Sequence, residues 1–109
     1  MIQTFHAHIY FSADETSLAI KVRENIIEAL PQLTYMGPLI PIRIGPHSKP
    51  MFEVHIPGAI KSYALTRIES LREGLTVLVH PVQLDELDAH TDAAVWLGTK
   101  LPLKLDVLK

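Results

Sequence analysis

Positions 4–11, TFHAHIYF, alternate strictly between two faces. Phe5, Ala7, Ile9 and Phe11 fall on one side, His6, His8 and Tyr10 on the other, the pattern of a half-buried strand. Period four then takes over. Leu18, Val22, Ile26 and Leu30 form a stripe that Ala19 and Ile27 widen, predicting an amphipathic helix over about 14–30. Ser12 and Glu15 have capping-box spacing at its start, and Pro31 stops it. Alternation returns at 37–45, where Ile40, Ile42 and Ile44 share a face and Pro41 marks an edge strand. A third strand, 51–56, sets Phe52, Val54 and Ile56 against Met51, Glu53 and His55. After Pro57 and Gly58 a second helical stripe runs through Ile60, Ala64, Ile68 and Leu71, with Gly74 as its C′ residue. Residues 75–81 read as a fourth strand, with Leu75, Val77 and Val79 opposite Thr76, Leu78 and His80. A third helix is expected over 84–96, followed by a tail in which Leu101, Leu103 and Leu105 alternate.

The order β-α-β-β-α-β-α predicts an α+β, ferredoxin-like βαββαβ sandwich with an extra C-terminal helix. Right-handed crossovers put both main helices on one sheet face. The expected strand order is 4-1-3-2, with the first strand central, parallel to the third and antiparallel to the fourth. All 109 residues fit one domain, and 48% apolar content supplies a core without disulfides. A net charge of −2 with no basic run argues against nucleic acid as a partner. The apolar runs are too short to span a bilayer. There is no cysteine and no leader pattern at the start, so a cytoplasmic setting is expected.

That topology acts as a ruler for the six histidines. If Phe5, Ala7, Ile9 and their counterparts face the helices, the open face receives His6, His8, Tyr10, Glu53, His55, Leu78, His80 and Arg43. His6, His8, Glu53 and His80 converge from three neighbouring strands, and the loop bearing His47 hangs nearby. Strands lie about 4.8 Å apart and alternate residues about 6.7 Å apart, gaps that imidazole and carboxylate groups bridge to a shared cation. Two histidines and a carboxylate on one side of an octahedral iron leave positions open for substrate and dioxygen, and zinc accepts the same donors.

Each residue also has an ordinary reading. A lone histidine on an open sheet face is commonly solvated, and Glu53 is an unremarkable strand charge. His55 lies further along its strand and reads as structural or solvated. His90 reads as a surface residue of the third helix, although that helix follows His80 and can fold over the open face. Trp96 is an anchor of the core or of an interface. Arg43 suits bidentate grip of a carboxylate, or is a plain surface charge. Tyr10 is a packing residue that also stands with Arg43 as a substrate contact. An open face bearing Tyr10, Leu78 and Met51 would be covered by a second copy, so a homodimer is expected.

Four segments, HAHIYF, GPHSKPMFEV, LTVLVHP and DAHTDAAVWLG, resemble the signature stretches of the DOPA 4,5-dioxygenase-like family, in the same order, across roughly residues 4–98. The resemblance implies a small, often dimeric ferredoxin-like protein related to enzymes that open catechol rings with O2. The family's histidine motifs fall on His6, His8, His47, His80 and His90, with Ser48 standing where proline is common. On that footing, His8 and His80 with Glu53 are expected to hold Fe(II), with zinc or another divalent metal as a substitute in a purified sample. His6 can replace either histidine. His47 is the first candidate for acid and base, His90 the second, and Arg43 the grip on a substrate carboxylate. The competing expectation is a metal-binding or small-ligand-binding dimeric protein on the same scaffold without dioxygenase chemistry.

Overall fold

The computed structural model describes residues 3–109. In it β1 (Thr4–Tyr10) leads through a 3-10 turn (Ala13–Glu15) into α1 (Thr16–Ala29). A two-residue strand β2 (Tyr35–Met36) and a long loop precede β3 (Met51–Pro57). Then come α2 (Lys61–Leu71), β4 (Val77–Pro81), a single helical turn α3 (Glu86–Ala89), β5 (Val95–Leu97) and a last 3-10 turn (Leu105–Leu108). Among the described residues, no helix is long and apolar enough to cross a membrane.

The sheet has five strands in the order β2-β3-β1-β4-β5, and every pairing is antiparallel. This differs from the expected four-stranded arrangement in three ways. First, β3 runs antiparallel to β1, not parallel. The α1 crossover returns the chain in β1's direction, and the connection from β2 to β3 then reverses it. The register is therefore His6 opposite His55 and His8 opposite Glu53. Second, the strand expected at 37–45 is mostly loop. Pairing there is one bridge between Ile40 and Met51, and the short strand β2 lies just before it. Pro38 and Pro41 cannot donate to a ladder, and Ile42 is left 62% exposed. Third, the helix expected over 84–96 is one turn. Asp85 caps it by accepting from the Asp88 amide at 2.9 Å. Val95 and Trp96, β-branched and aromatic, go instead to a strand on the edge of β4.

The helix-facing core follows the alternation. Ala7, Ile9, Phe52, Val54, Ile56, Val77 and Val79 pack against Ala19, Val22, Ile26, Leu30, Ala64 and Ile68. Glu15 reaches back to the Ser12 amide at 2.8 Å, half of the predicted capping box. Gly74 follows α2 with φ +83, a conformation glycine adopts without strain.

The opposite face is not left open. Tyr10, Met51 and Leu78 form a second buried layer beneath Ile40, Ala94, Trp96, Leu101 and Leu103. The chain beyond β4 covers this face itself, which removes the reason for expecting a second copy there. Trp96 lies over Tyr10 with ring centroids 6.2 Å apart. Replacing Trp96 with Ala is expected to cost about 2–3 kcal/mol of stability, somewhat below the usual figure for a fully buried aromatic. Urea unfolding measures this, and the denaturant slope is expected to stay unchanged.

Candidate active site

Alternation on β1 places His6 and His8 on the face away from the helices, and the antiparallel register sets His80 opposite His6. The His8 and His80 rings lie nearly parallel with centroids 5.0 Å apart, and their Nε2 atoms are 2.9 Å apart. His47 arrives from the loop before β3. Its amide donates to the Ile44 carbonyl at 3.0 Å, in a turn where Gly45 has φ +53. Its ring sits 4.2 Å from that of His8. His90 ends α3, with its ring 4.1 Å from that of His80. Five imidazoles from four separate segments thus share one site. Four of them, His8, His47, His80 and His90, are only 3–5% exposed. Their cover is the chain beyond β4, which a bond from the Lys104 amide to the Pro46 carbonyl (2.8 Å) ties to the His47 loop.

Hydrogen bonds fix how several of these rings are oriented. A carbonyl only accepts, so His80 Nδ1–H donates to the Pro81 carbonyl (3.0 Å) and His90 Nδ1–H donates to the Glu86 carbonyl (2.8 Å). In each neutral ring Nε2 then carries the lone pair. His47 Nδ1 meets the Tyr10 hydroxyl at 2.7 Å. Burial pushes the Tyr10 phenol well above its ordinary range, so it stays protonated. Burial also lowers His47 and His80 to about 4, helped at both by the neighbouring His90. His8 lies well below the usual histidine value because of burial, with His47 and His80 adding to the effect. His6 is lowered too, first by burial and then by His55.

These constraints leave His8 without a good arrangement of its own. Donating from Nε2 to His80 strands Nδ1, which is buried without a hydrogen-bond partner. Donating from Nδ1 instead aims two Nε2 lone pairs at each other. Adding a second proton puts a charge where burial opposes it. A divalent cation resolves the conflict, because both Nε2 lone pairs then bind it. The residues present therefore fit a metal. Donor atoms of His6, His8 and His80 lie within 4.8 Å of one another, as do those of His8, His47 and His90.

Glu53 is placed differently from expectation. It contacts His8 through Nδ1 (3.4 Å), on the far side of the ring from the Nε2 that meets His80. Its donor atom groups with those of His6 and His55. His55, read from sequence as structural or solvated, bonds Glu53 at 2.5 Å and stacks on His6 at 3.8 Å. The assumed parallel β1–β3 pairing hid this, whereas the antiparallel register puts His55 directly across from His6. Tyr10 serves both packing and His47. Arg43 is exposed and lines a separate groove with Ser12, Pro41, Ser48 and Lys49, and no histidine borders that groove. A smaller cleft of about 280 Å³ does reach the cluster. It is lined by His90, Thr91, Lys100, Leu101, Leu103 and Leu105, among others.

Comparison with known proteins gives the family. A 34% identical protein of Nostoc punctiforme, known from its crystal structure and described as a candidate dioxygenase, superposes with a TM-score of 0.84, over 98% of this chain and 91% of its own. The DOPA 4,5-dioxygenase of Amanita muscaria is 28% identical over 95% of the chain. An uncharacterized 21.2 kDa protein of Botryotinia fuckeliana is 34% identical over 96% of it. The chain spans only 49% and 63% of the lengths of these two fungal relatives. The model of the Dopa 4,5-dioxygenase family matches residues 5–107, nearly end to end, and the chain belongs to that family.

Proposed function

We propose that this protein is an Fe(II)-dependent dioxygenase that opens the ring of a small catecholic acid. The observation that carries the reading is the pair of buried Nε2 atoms of His8 and His80, 2.9 Å apart, ringed by three further imidazoles. His8 and His80 hold the ion, with His6 as third ligand. Iron supplies adjacent binding positions for catechol and O2 and the electron path between them.

The remaining residues handle protons and binding. His90 borders the cleft with Nδ1 committed to the Glu86 carbonyl, so Nε2 is the atom that takes a catechol proton. This moves His90 ahead of His47 as the first base. His47 does not line that cleft, and its ring centroid is 6.2 Å from that of His90. The Tyr10 hydroxyl either donates to or accepts from His47 Nδ1, so His47 can change tautomer without moving, as a group that returns a proton later in the reaction must. The leucines of the cleft exclude water from the apolar part of the ring.

Lys100 replaces Arg43 as the grip on a substrate carboxylate, because it lines the cleft that reaches His90. Lys100→Met is expected to raise KM about two- to fivefold for caffeate or protocatechuate, with kcat little changed and uncharged catechol nearly unaffected. Steady-state kinetics on that pair of substrates checks it.

The test of the activity is anaerobic loading with Fe(II), then O2 consumption and appearance of a yellow ring-opened product across L-DOPA, caffeate and protocatechuate. Metal bound at one ion per chain with no oxygen uptake on any catechol would leave a metal-binding protein and overturn the dioxygenase reading.

A further inference from the structure

Glu53 stands behind the histidines. Its Oε1 lies 3.4 Å from His8 Nδ1, and its Oε2 lies 3.7 Å from His6 Nδ1. Oε2 also takes a hydrogen bond from His55 Nε2 at 2.5 Å. The His55 ring lies flat on His6, with centroids 3.8 Å apart and planes 8° apart. We propose that Glu53, held by His55, is a positioning residue for His8: its Oε1 is the acceptor nearest the otherwise unpartnered His8 Nδ1, draws the Nδ1–H to that side of the ring and so presents the Nε2 lone pair to the metal.

The proposal rests on the metal reading above and adds residues which that reading does not use. Three features favour it over two rivals. The first rival makes Glu53 a ligand beside His8 and His80. The two nitrogens of an imidazole point to opposite sides of the ring, and Glu53 faces the nitrogen that His80 does not. The second rival is a separate ion held by His6, Glu53 and His55, whose donor atoms do lie within 4.8 Å of one another. Imidazole lone pairs lie in the ring plane. His6 and His55 lie face to face at 3.8 Å, so their lone pairs run side by side, whereas His8 and His80, with centroids 5.0 Å and Nε2 atoms 2.9 Å apart, meet edge to edge. The third feature is the shared carboxylate oxygen. His55 occupies Oε2, which fixes the carboxylate plane and leaves Oε1 for His8. A carboxylate behind a ligating histidine sets its tautomer and raises its basicity.

The test uses Zn(II) as the probe, with affinity read by competition against a chromophoric chelator and ring protons read by NMR. Zinc-loaded wild type is expected to show a downfield Nδ1–H resonance for His8. Glu53→Leu is expected to lose that resonance and to bind zinc about 10–100-fold more weakly. Glu53→Gln, whose amide oxygen still accepts, is expected to recover most of the affinity. His55→Phe keeps a ring over His6 but frees the carboxylate, and is expected to weaken zinc only a few-fold. Circular dichroism confirms the fold of each variant. Unchanged zinc affinity in folded Glu53→Leu overturns the positioning role alone. Loss of zinc in the Gln and Leu variants alike makes Glu53 a ligand and also overturns it. A wild-type chain that takes up no zinc overturns the metal reading, and the positioning role with it.

Discussion

His8→Ala is expected to abolish ring opening and metal retention together. The loss of metal affinity should exceed the roughly 10–100-fold that follows removal of an outer partner, because a donor is gone. The reason is local. His80 Nδ1 is committed to the Pro81 carbonyl, so its Nε2 faces the site as a lone pair, and His8 Nε2 is its nearest partner at 2.9 Å. Without His8, a single well-aimed nitrogen remains at that point. The fold is expected to survive. His8 stabilises the metal-free protein little, since one of its nitrogens is buried without a partner. Metal content by mass spectrometry, O2 uptake and a thermal melt on the same sample separate the two effects. A variant that keeps iron and activity would remove His8 from the site.

The second large effect is on stability against pH. His8, His47 and His80 all have folded-state values below the ordinary 6.5, and two of them lie near 4. The unfolded chain therefore takes up protons below about pH 6.5 that the folded chain refuses until about pH 4. A depressed histidine contributes stability above its unfolded value and loses it as pH falls toward its folded value. Each such proton costs about 1.4 kcal/mol per pH unit. Two or three of them over this window reach several kcal/mol, a large share of the roughly 5–15 kcal/mol of a small domain. The metal-free protein is thus expected to lose stability steeply from pH 6.5 downward and to unfold before pH 4. Ordinary carboxylates titrate near 4, beneath most of that window. Bound metal should raise stability above pH 6.5 and leave over the same range, because its ligands must be unprotonated. Urea titrations at half-unit steps, with and without Zn(II), measure both. Flat stability between pH 7 and 5 would contradict the buried, neutral cluster.

Much of this arrangement is legible in the chain, and the exceptions have physical reasons. Alternation at Phe5–Phe11 and Met51–Ile56 assigns the two sheet faces, because a strand's period of two leaves little freedom. The four-residue stripe from Leu18 to Leu30 locates α1. The segments at 37–45 and 84–96 carry hydrophobic patterns as convincing, yet one is loop and the other a helical turn plus a strand. Pattern alone does not weigh the lost donors of Pro38 and Pro41, nor the strand preference of Val95 and Trp96. The His8–His80 meeting follows from the shared face together with the antiparallel β1–β4 pairing, which the expected topology also has. Glu53 and His55 depend instead on the direction of β3. A β3 parallel to β1 brings Glu53 to the histidine end and carries His55 away, whereas the antiparallel register sets Glu53 across from His8 and His55 across from His6. Lys100 gave no signal, because the alternation of Leu101, Leu103 and Leu105 does not say which surface the tail packs against.

The most direct test is anomalous diffraction at the iron edge from crystals loaded with Fe(II) under anaerobic conditions. The account predicts one strong peak about 2.0–2.2 Å from the Nε2 atoms of both His8 and His80. An iron-loaded crystal with no peak between those two nitrogens, or with its only peak elsewhere, would contradict it.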